Sequence, residues 1–219
     1  MLRRPRMSPE RLDMVEHQLR ARGIEDERVL DAMSAVPREL FVPEELRHRA
    51  YDDAALPIGD GQTISQPFMV ALICSLLELR GGERVLDVGT GSGYQAAVLA
   101  ALDVEVHSIE RVPELAARAL EAIRAAGYGD RVEVHVGDGT RGLPDEAPFE
   151  AIAVAAAAPQ LPRSLYDQLA ERGRLVVPVG PRREQLLEVV VRSPEGPAIL
   201  RTVPCRFVPL LGAEGFREG

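Results

Sequence analysis

Three acidic residues and one glycine turn carry most of the chemistry open to this chain. The turn is Asp87-Val88-Gly89-Thr90-Gly91-Ser92-Gly93-Tyr94-Gln95, and the apolar pair Val85-Leu86 leads into it. Glycine at every second position lets the backbone turn sharply and lay its amides against a ligand. The spacing is G-x-G-x-G, which differs from the G-x-G-x-x-G of dinucleotide sites. Asp87 precedes the turn from within a strand, where it would crowd a pyrophosphate but suits a cationic or amine-bearing ligand. S-adenosylmethionine, with its sulfonium and amino group, is such a ligand. Glu110 and Asp138-Gly139 close two later apolar runs. At those strand ends Glu110 can accept hydrogen bonds from both hydroxyls of a ribose. Asp138 and the neighbouring amide can read an adenine edge.

A second stretch, Gly59-Asp60-Gly61-Gln62-Thr63-Ile64-Ser65-Gln66-Pro67, sets hydroxyls and amides at the entrance of a helix expected to run to about Leu79. It can serve a ligand, or it can be a capped helix start, with Ser65 as cap and Pro67 just inside. Conventional acid–base machinery is sparse. His17, His48, His107 and His135 are scattered, without carboxylate or cysteine at metal-ligand spacing, so no metal is expected. The chain has no lysine, which excludes a phosphate-binding Walker lysine, and it has no G-x-S-x-G elbow. A cofactor cradle with little else suits a transfer whose donor is already activated.

The elements that must position these residues alternate. Strands are predicted at 84–88, 104–110, 131–136, 151–155 and 174–178, with helices at 94–102, 113–126 and 162–171. Two further strands, at 184–192 and 199–207, form an antiparallel edge. The pattern predicts a doubly wound, mostly parallel, seven-stranded α/β sheet of the Rossmann-like kind. Ligands of such sheets sit beyond the carboxyl ends of the strands. Ahead of this core (81–219), residues 1–80 form a helical and loop region packed on it as one compact unit. Ser8-Pro9-Glu10 starts a helix with Leu12, Val15 and Leu19 on one face, and a second helix covers 26–35. Residues 38–61 read as loops and short turns.

With 219 residues, 46% hydrophobic and 27% charged, the chain has the composition of an ordinary globular domain. A net charge of −8 argues against nucleic acid as partner. The basic residues 1–6 lack the apolar run of a signal peptide, and there is no apolar run for a membrane span. Cys74 and Cys205 sit among apolar neighbours and are expected as buried thiols. The expectation is a cytoplasmic monomer. Asparagine is absent as well as lysine, which a GC-rich genome or thermal adaptation would each produce.

Several segments together resemble the protein-L-isoaspartate O-methyltransferases. They are Gly61–Ser65, Asp87–Gln95, Ser108-Ile109-Glu110-Arg111, Gly137-Asp138-Gly139, Pro178-Val179-Gly180 and Phe207-Val208-Pro209-Leu210. The resemblance runs from about Leu12 to Leu211. The glycine motif alone is shared by class I methyltransferases, whereas Gln62–Ser65 is specific to this family. It implies S-adenosylmethionine as methyl donor, S-adenosylhomocysteine as product, and isoaspartyl peptides and damaged proteins as acceptors. It implies Ser65 as the active-site residue, and cofactor contacts from Gln62, Thr63, Ile64, Asp87, Gly89, Thr90, Gly91, Ser92, Gly93, Glu110, Asp138 and Gly139. Thr63, Ser65, Val208 and Leu210 are the expected substrate contacts. The family's last two strands are exchanged relative to most class I enzymes, which places that exchange in 184–207. Two positions depart from the family pattern: Phe68 stands where histidine is frequent, and Ala155 where threonine is common. The alternatives are a related carboxyl or small-molecule methyltransferase and a non-catalytic nucleoside-binding protein. A NAD-dependent oxidoreductase comes last.

Overall fold

The computed structural model describes residues 8–217, and the basic residues 1–6 lie outside the described residues. Helix α1 (Pro9–Asp13) is capped by Ser8, whose Oγ accepts from the Arg11 amide at 3.3 Å. The chain then widens into a π-helical turn at Met14–Leu19 and tightens at Arg20–Arg22 before stopping at Gly23. This change of winding re-aims the buried face. Arg11, Met14, Val15 and Leu19 point inward, while Leu12, expected on that face, is 43% exposed. Arg11 takes the inward place because it has partners there: the Tyr51 hydroxyl at 2.9 Å, the Ser34 carbonyl at 3.2 Å and Glu39 at 3.1 Å. Helix α2 (Glu27–Ala35) forms where a helix over 26–35 is expected, with Asp26 as its cap: the Asp26 Oδ1 accepts from the Arg28 amide at 2.9 Å.

A short hairpin, β1 (Leu56–Gly59) and β2 (Gln62–Ile64), begins within the stretch expected as loops (38–61) and ends just beyond it. Helix α3 (Pro67–Leu77) is apolar almost all round and largely buried, ending two residues earlier than expected at Glu78, in the left-handed conformation. Its cap is Gln66, not Ser65, and no side chain bonds to its first amides. The Gln66 amide instead donates to Asp53 at 2.6 Å.

The core sheet follows as β3 (Arg84–Val88), α4 (Tyr94–Ala101), β4 (Glu105–Glu110), α5 (Pro113–Ala125), β5 (Val132–Val136), β6 (Phe149–Val154), α6 (Arg163–Asp167), β7 (Leu169–Val179), β8 (Gln185–Ser193) and β9 (Gly196–Cys205). Its order is β5-β4-β3-β6-β7-β8-β9. The first five are parallel, and β8 and β9 add an antiparallel edge. The last two strands thus run in sequence order, the exchanged arrangement that the resemblance implies. The helix expected at 162–171 is only one turn and a half, because the chain leaves it at Leu169 to pair with Phe149. One sheet face packs on α3, α4 and the N-terminal helices in a shared core, with Val85, Val106 and Ala153 meeting Met14, Leu30 and Ile73. The other face packs Leu86, Ile152 and Leu175 around Leu165 and Leu210. Cys74 is buried as expected, whereas Cys205 is half-exposed on β9, and both are free thiols. Among the described residues no helix is long and apolar enough to cross a membrane.

Candidate active site

Because β3, β4 and β5 are parallel, the turn after β3, Glu110 at the end of β4 and Gly139 after β5 meet at one edge of the sheet. The β1–β2 hairpin rises on one side of this edge. Residues Val208–Leu211 return over the other, tied down by Ala157, whose amide donates to the Val208 carbonyl at 2.8 Å and whose carbonyl accepts from Leu210 at 2.7 Å. Between them lies an open cleft walled by the hairpin, the glycine turn and the Val208–Leu211 return.

Twelve of the fifteen expected site residues line this cleft: Gln62, Thr63, Ile64, Ser65, Gly89, Thr90, Gly91, Ser92, Glu110, Gly139, Val208 and Leu210. Asp87, Gly93 and Asp138 do not line it, each for a different reason. Asp87 is wholly buried beneath the floor, where Gln95 Nε2 donates to Oδ1 at 2.8 Å and Ser108 Oγ to Oδ2 at 2.7 Å. Since the Ser108 proton is committed, the Thr90 hydroxyl at 2.6 Å must be the donor to Ser108 Oγ. Burial pushes the Asp87 carboxyl up to about 6, against the pull of its two donors and with the Glu110 charge adding to the rise. Gly93 faces away from the cleft toward α5. A Cβ there would stand 3.0 Å from the Ile123 side chain and 3.1 Å from the Ala119 carbonyl. Asp138 anchors the C-terminal return. Its Oδ1 accepts from the Thr140 amide at 2.9 Å and hydroxyl at 2.7 Å, and its Oδ2 from the Ala213 amide at 2.8 Å. Partial burial works against its charge, but these donors win and hold the carboxyl below its ordinary range.

Glu110 has capacity to spare. Its Oε2 accepts from the Gly91 amide at 2.9 Å and its Oε1 from the Val112 amide at 3.0 Å. A carboxylate offers about four acceptor directions, so roughly two remain for a pair of vicinal hydroxyls. Gln95, at the same cleft, has a buried Oε1 that takes no hydrogen bond among the described residues. It is an acceptor available to an amine-bearing ligand. Ile109, Ala155, Ala156 and Leu210 supply apolar walls. The donor set therefore fits an adenosine-type ligand with a positively charged tail.

Thr63 and Ser65 stand where this cleft opens into a second groove, which also shares Ala155, Val208 and Pro209 and is bordered by Arg182 and Arg206. The Ser65 backbone is held by Arg38, a fully buried guanidinium. It donates to the Ser65 carbonyl at 2.8 Å and the Ala50 carbonyl at 2.7 Å, and lies 4.7 Å over the Tyr94 ring. Phe68 is outside the cleft lining and stacks under the Arg22 guanidinium at 3.8 Å. The departure from histidine is thus absorbed by packing with an arginine.

Sequence reasoning missed Arg38, whose part depends on a contact across 27 positions, and it carries no local signal. It also passed over Tyr94 and Gln95 as lining residues, although both stand inside the glycine motif. His107 and His135, read as scattered, are brought side by side by the β4–β5 pairing.

A doubly wound sheet, a glycine turn after β3 and an acidic residue closing β4 define a class I S-adenosylmethionine-dependent methyltransferase. Comparison with known families narrows this: the model of the protein-L-isoaspartate(D-aspartate) O-methyltransferase family matches residues 10–215. The chain belongs to that family. It is 54% identical over 209 residues to the protein-L-isoaspartate O-methyltransferase of Methanoculleus marisnigri, covering 95% of this chain and 94% of the relative. To protein-L-isoaspartate O-methyltransferase 1 of Syntrophobacter fumaroxidans it is 56% identical, covering 93% and 94%. Among solved structures, one protein-L-isoaspartate O-methyltransferase superposes with a TM-score of 0.82 at 28% identity, over 93% of this chain and 66% of that one. A Plasmodium falciparum protein named for the same activity, solved in complex with S-adenosyl-L-homocysteine, superposes with a TM-score of 0.76 at 29% identity. That superposition covers 90% of this chain and 96% of the other.

Proposed function

We infer that this chain transfers a methyl group from S-adenosyl-L-methionine to the free α-carboxylate of L-isoaspartyl residues in peptides and damaged proteins. The observation that carries this reading is the placing of Thr63 and Ser65 at the junction of two spaces. One is built for an adenosine-type ligand, and the other is bordered by the cations Arg182 and Arg206. When bound, S-adenosyl-L-methionine supplies a methyl group already activated on a sulfonium. An α-carboxylate has a pKa of ~3.5 and is ionised at neutral pH, so the chain needs no general base. Its task is to hold the carboxylate oxygen near the methyl carbon, at ~3–3.5 Å and in line with the carbon–sulfur bond. Thr63 and Ser65 hydroxyls do this by hydrogen-bonding the carboxylate, and Glu110 and Gly91 fix the cofactor end. Asp87 acts from beneath the floor by charge and by ordering Gln95 and Ser108. Gly93 and Asp138 act by holding α5 and the C-terminal return in place. Val208 and Leu210 present strand edge and side chains to the peptide backbone. Transfer forms the carboxylate–methyl bond, breaks the carbon–sulfur bond and leaves S-adenosyl-L-homocysteine. The ester then closes to a succinimide that hydrolyses in part to normal aspartate.

The chain acts as a cytoplasmic monomer, with residues 1–80 and 81–219 as one compact unit, and without nucleic-acid or membrane partners. The net charge of −8 argues against nucleic acid, and the core shared across residue 80 supports the single unit. The test is methyl transfer from labelled S-adenosyl-L-methionine to two matched peptides, one isoaspartyl and one with normal aspartate. Label in the isoaspartyl peptide alone is expected. Label in neither, with the cofactor still bound, would move the substrate elsewhere, to a small molecule.

A further inference from the structure

Away from the cleft, the parallel pairing of β4 and β5 sets His107 opposite Glu133 and Ile109 opposite His135. Alternate residues of a strand share a face, so Glu105, His107, Glu133 and His135 project from the same side of the sheet. There His107 Nδ1 lies 3.2 Å from His135 Nε2, the two rings stacked at 23° with centroids 5.5 Å apart. Glu133 Oε1 is 3.8 Å from His135 Nε2. One ligand atom from each of His107, Glu133 and His135 falls within 4.8 Å of the others.

We propose that this face holds a binding site for a divalent transition cation of the zinc class, ligated by His107 Nδ1, His135 Nε2 and the Glu133 carboxylate. Nitrogen ligands at ~2.0–2.1 Å from a tetrahedral zinc stand about 3.3 Å apart, close to the spacing already present between the two imidazoles. The orientation of His107 also fits. Its Nε2 lies 3.3 Å from Glu105 Oε1, so this nitrogen carries the proton and donates, leaving the Nδ1 lone pair turned toward His135. A carboxylate behind a ligating histidine is the arrangement that fixes tautomer and ring angle in metal sites. The other Glu105 oxygen is 3.8 Å from Arg84 Nε, which keeps Glu105 in this orienting place and out of the ligand set. Without a cation, His135 Nε2–H donates to His107 Nδ1; with one, both lone pairs face it.

The surroundings are asymmetric. His107 is buried, with the Phe149 ring edge-on at 5.9 Å, whereas Glu133 is exposed and His135 partly so. A cation thus has a low-dielectric wall behind it and an open side for entry and for a water as fourth ligand. Two imidazoles and one carboxylate favour zinc, nickel, copper or cobalt over magnesium or calcium. His107 and His135 each lie three residues before a cofactor-edge residue, Glu110 and Asp138, which is ~10 Å along a strand. The site is therefore separate from the cleft and independent of the function proposed above.

The test is calorimetric titration of the full chain, stripped with chelator, with zinc alone. One zinc per chain is expected, with a Kd of about 10 µM or tighter, and with no competition from magnesium. His135→Ala, at a partly exposed position, should weaken binding by roughly 100-fold, and Glu105→Gln by roughly 10-fold with unchanged stoichiometry. His17→Ala and His48→Ala should leave it unaltered. Cobalt in place of zinc should give visible absorption of tetrahedral intensity in the wild type that is lost in His135→Ala. Zinc binding as tight in His135→Ala as in the wild type would overturn the proposal. So would a wild-type Kd weaker than about 1 mM.

Discussion

Replacing Asp87 by asparagine removes a buried charge from beneath the cleft while keeping its shape. Burial lifts this carboxyl from 3.8 to about 6, Gln95 and Ser108 pull it back, and the Glu110 charge pushes it further up. The sign of the stability effect follows. Between about pH 4 and pH 6 the native state keeps a proton that the unfolded chain releases, so this group's contribution falls as pH rises. It is fully present below the unfolded value and gone above about pH 6. Roughly two pH units at 1.36 kcal/mol each make this ~3 kcal/mol. In Asp87→Asn, Oδ1 still accepts from Gln95, and the Thr90–Ser108 hydrogen bond can reverse so that Ser108 accepts from the new amide. The variant should therefore be more stable than the wild type at pH 7.5 by up to ~3 kcal/mol, and the advantage should vanish toward pH 4. Function should move the other way. A cationic ligand above Asp87 gains from its ionised form, so the variant should bind S-adenosyl-L-methionine about tenfold more weakly at pH 7.5. The loss should be smaller for the uncharged thioether product. Urea unfolding from pH 4 to 7.5 gives the first comparison, and the stability difference between the two proteins isolates Asp87 from every other carboxyl. Calorimetric titration gives the second. A stability difference that is flat with pH, or that grows toward pH 4, would refute the electrostatic role assigned here.

Ser65→Ala should lower turnover more than tenfold while leaving S-adenosyl-L-methionine affinity within about twofold, which initial rates and equilibrium dialysis will separate. Glu110→Gln turns an amide NH₂ toward the Gly91 or Val112 amide, and cofactor affinity should fall by more than tenfold in the same dialysis assay. Arg38→Met leaves the Ala50 and Ser65 carbonyls without their charged donor. The expected cost is roughly 3 kcal/mol in urea unfolding, with a lowered kcat from the loosened Ser65 segment.

The sheet could be read from the sequence because buried parallel strands are nearly continuous apolar runs, with helices of different period between them. The short hairpin escaped notice because its strands are three and four residues long and one contains Pro57. Leu165, Tyr166 and Leu169 keep a helical spacing past the point where the chain turns into β7, so the pattern predicts a longer helix than the chain forms. In the site, Glu110 lines the cleft beside the glycine turn, and a strand-end carboxylate and a glycine turn are both local features. Asp138 has the same local appearance, yet its partner Ala213 is 75 positions away. The Asp138 Oδ1 serves the nearby Thr140, but nothing near Asp138 tells that its Oδ2 is spent on the C-terminal return. The histidine pair needed the β4–β5 register, which no local pattern supplies.

The same limit separates two glycines that look equivalent in the motif. Gly91 and Gly93 both have positive φ, +53° and +86°, so a side chain at either carries a left-handed cost of ~1–2 kcal/mol. Their surroundings differ. A Cβ on Gly91 makes only ordinary contacts, with Ile58 Cδ1 at 3.6 Å and the Gly89 carbonyl at 3.8 Å, but sits in the cleft wall where the Gly91 amide holds Glu110. A Cβ on Gly93 meets Ile123 at 3.0 Å and the Ala119 carbonyl at 3.1 Å, so α5 must shift, which adds a further ~1–3 kcal/mol. Gly91→Ala should therefore damage cofactor affinity more than stability, and Gly93→Ala the reverse. Urea unfolding and cofactor titration on the two variants give the ranking directly. If Gly93→Ala proved the more stable of the two, or Gly91→Ala the tighter binder, the division of the motif into a ligand-facing and a helix-packing glycine would be wrong.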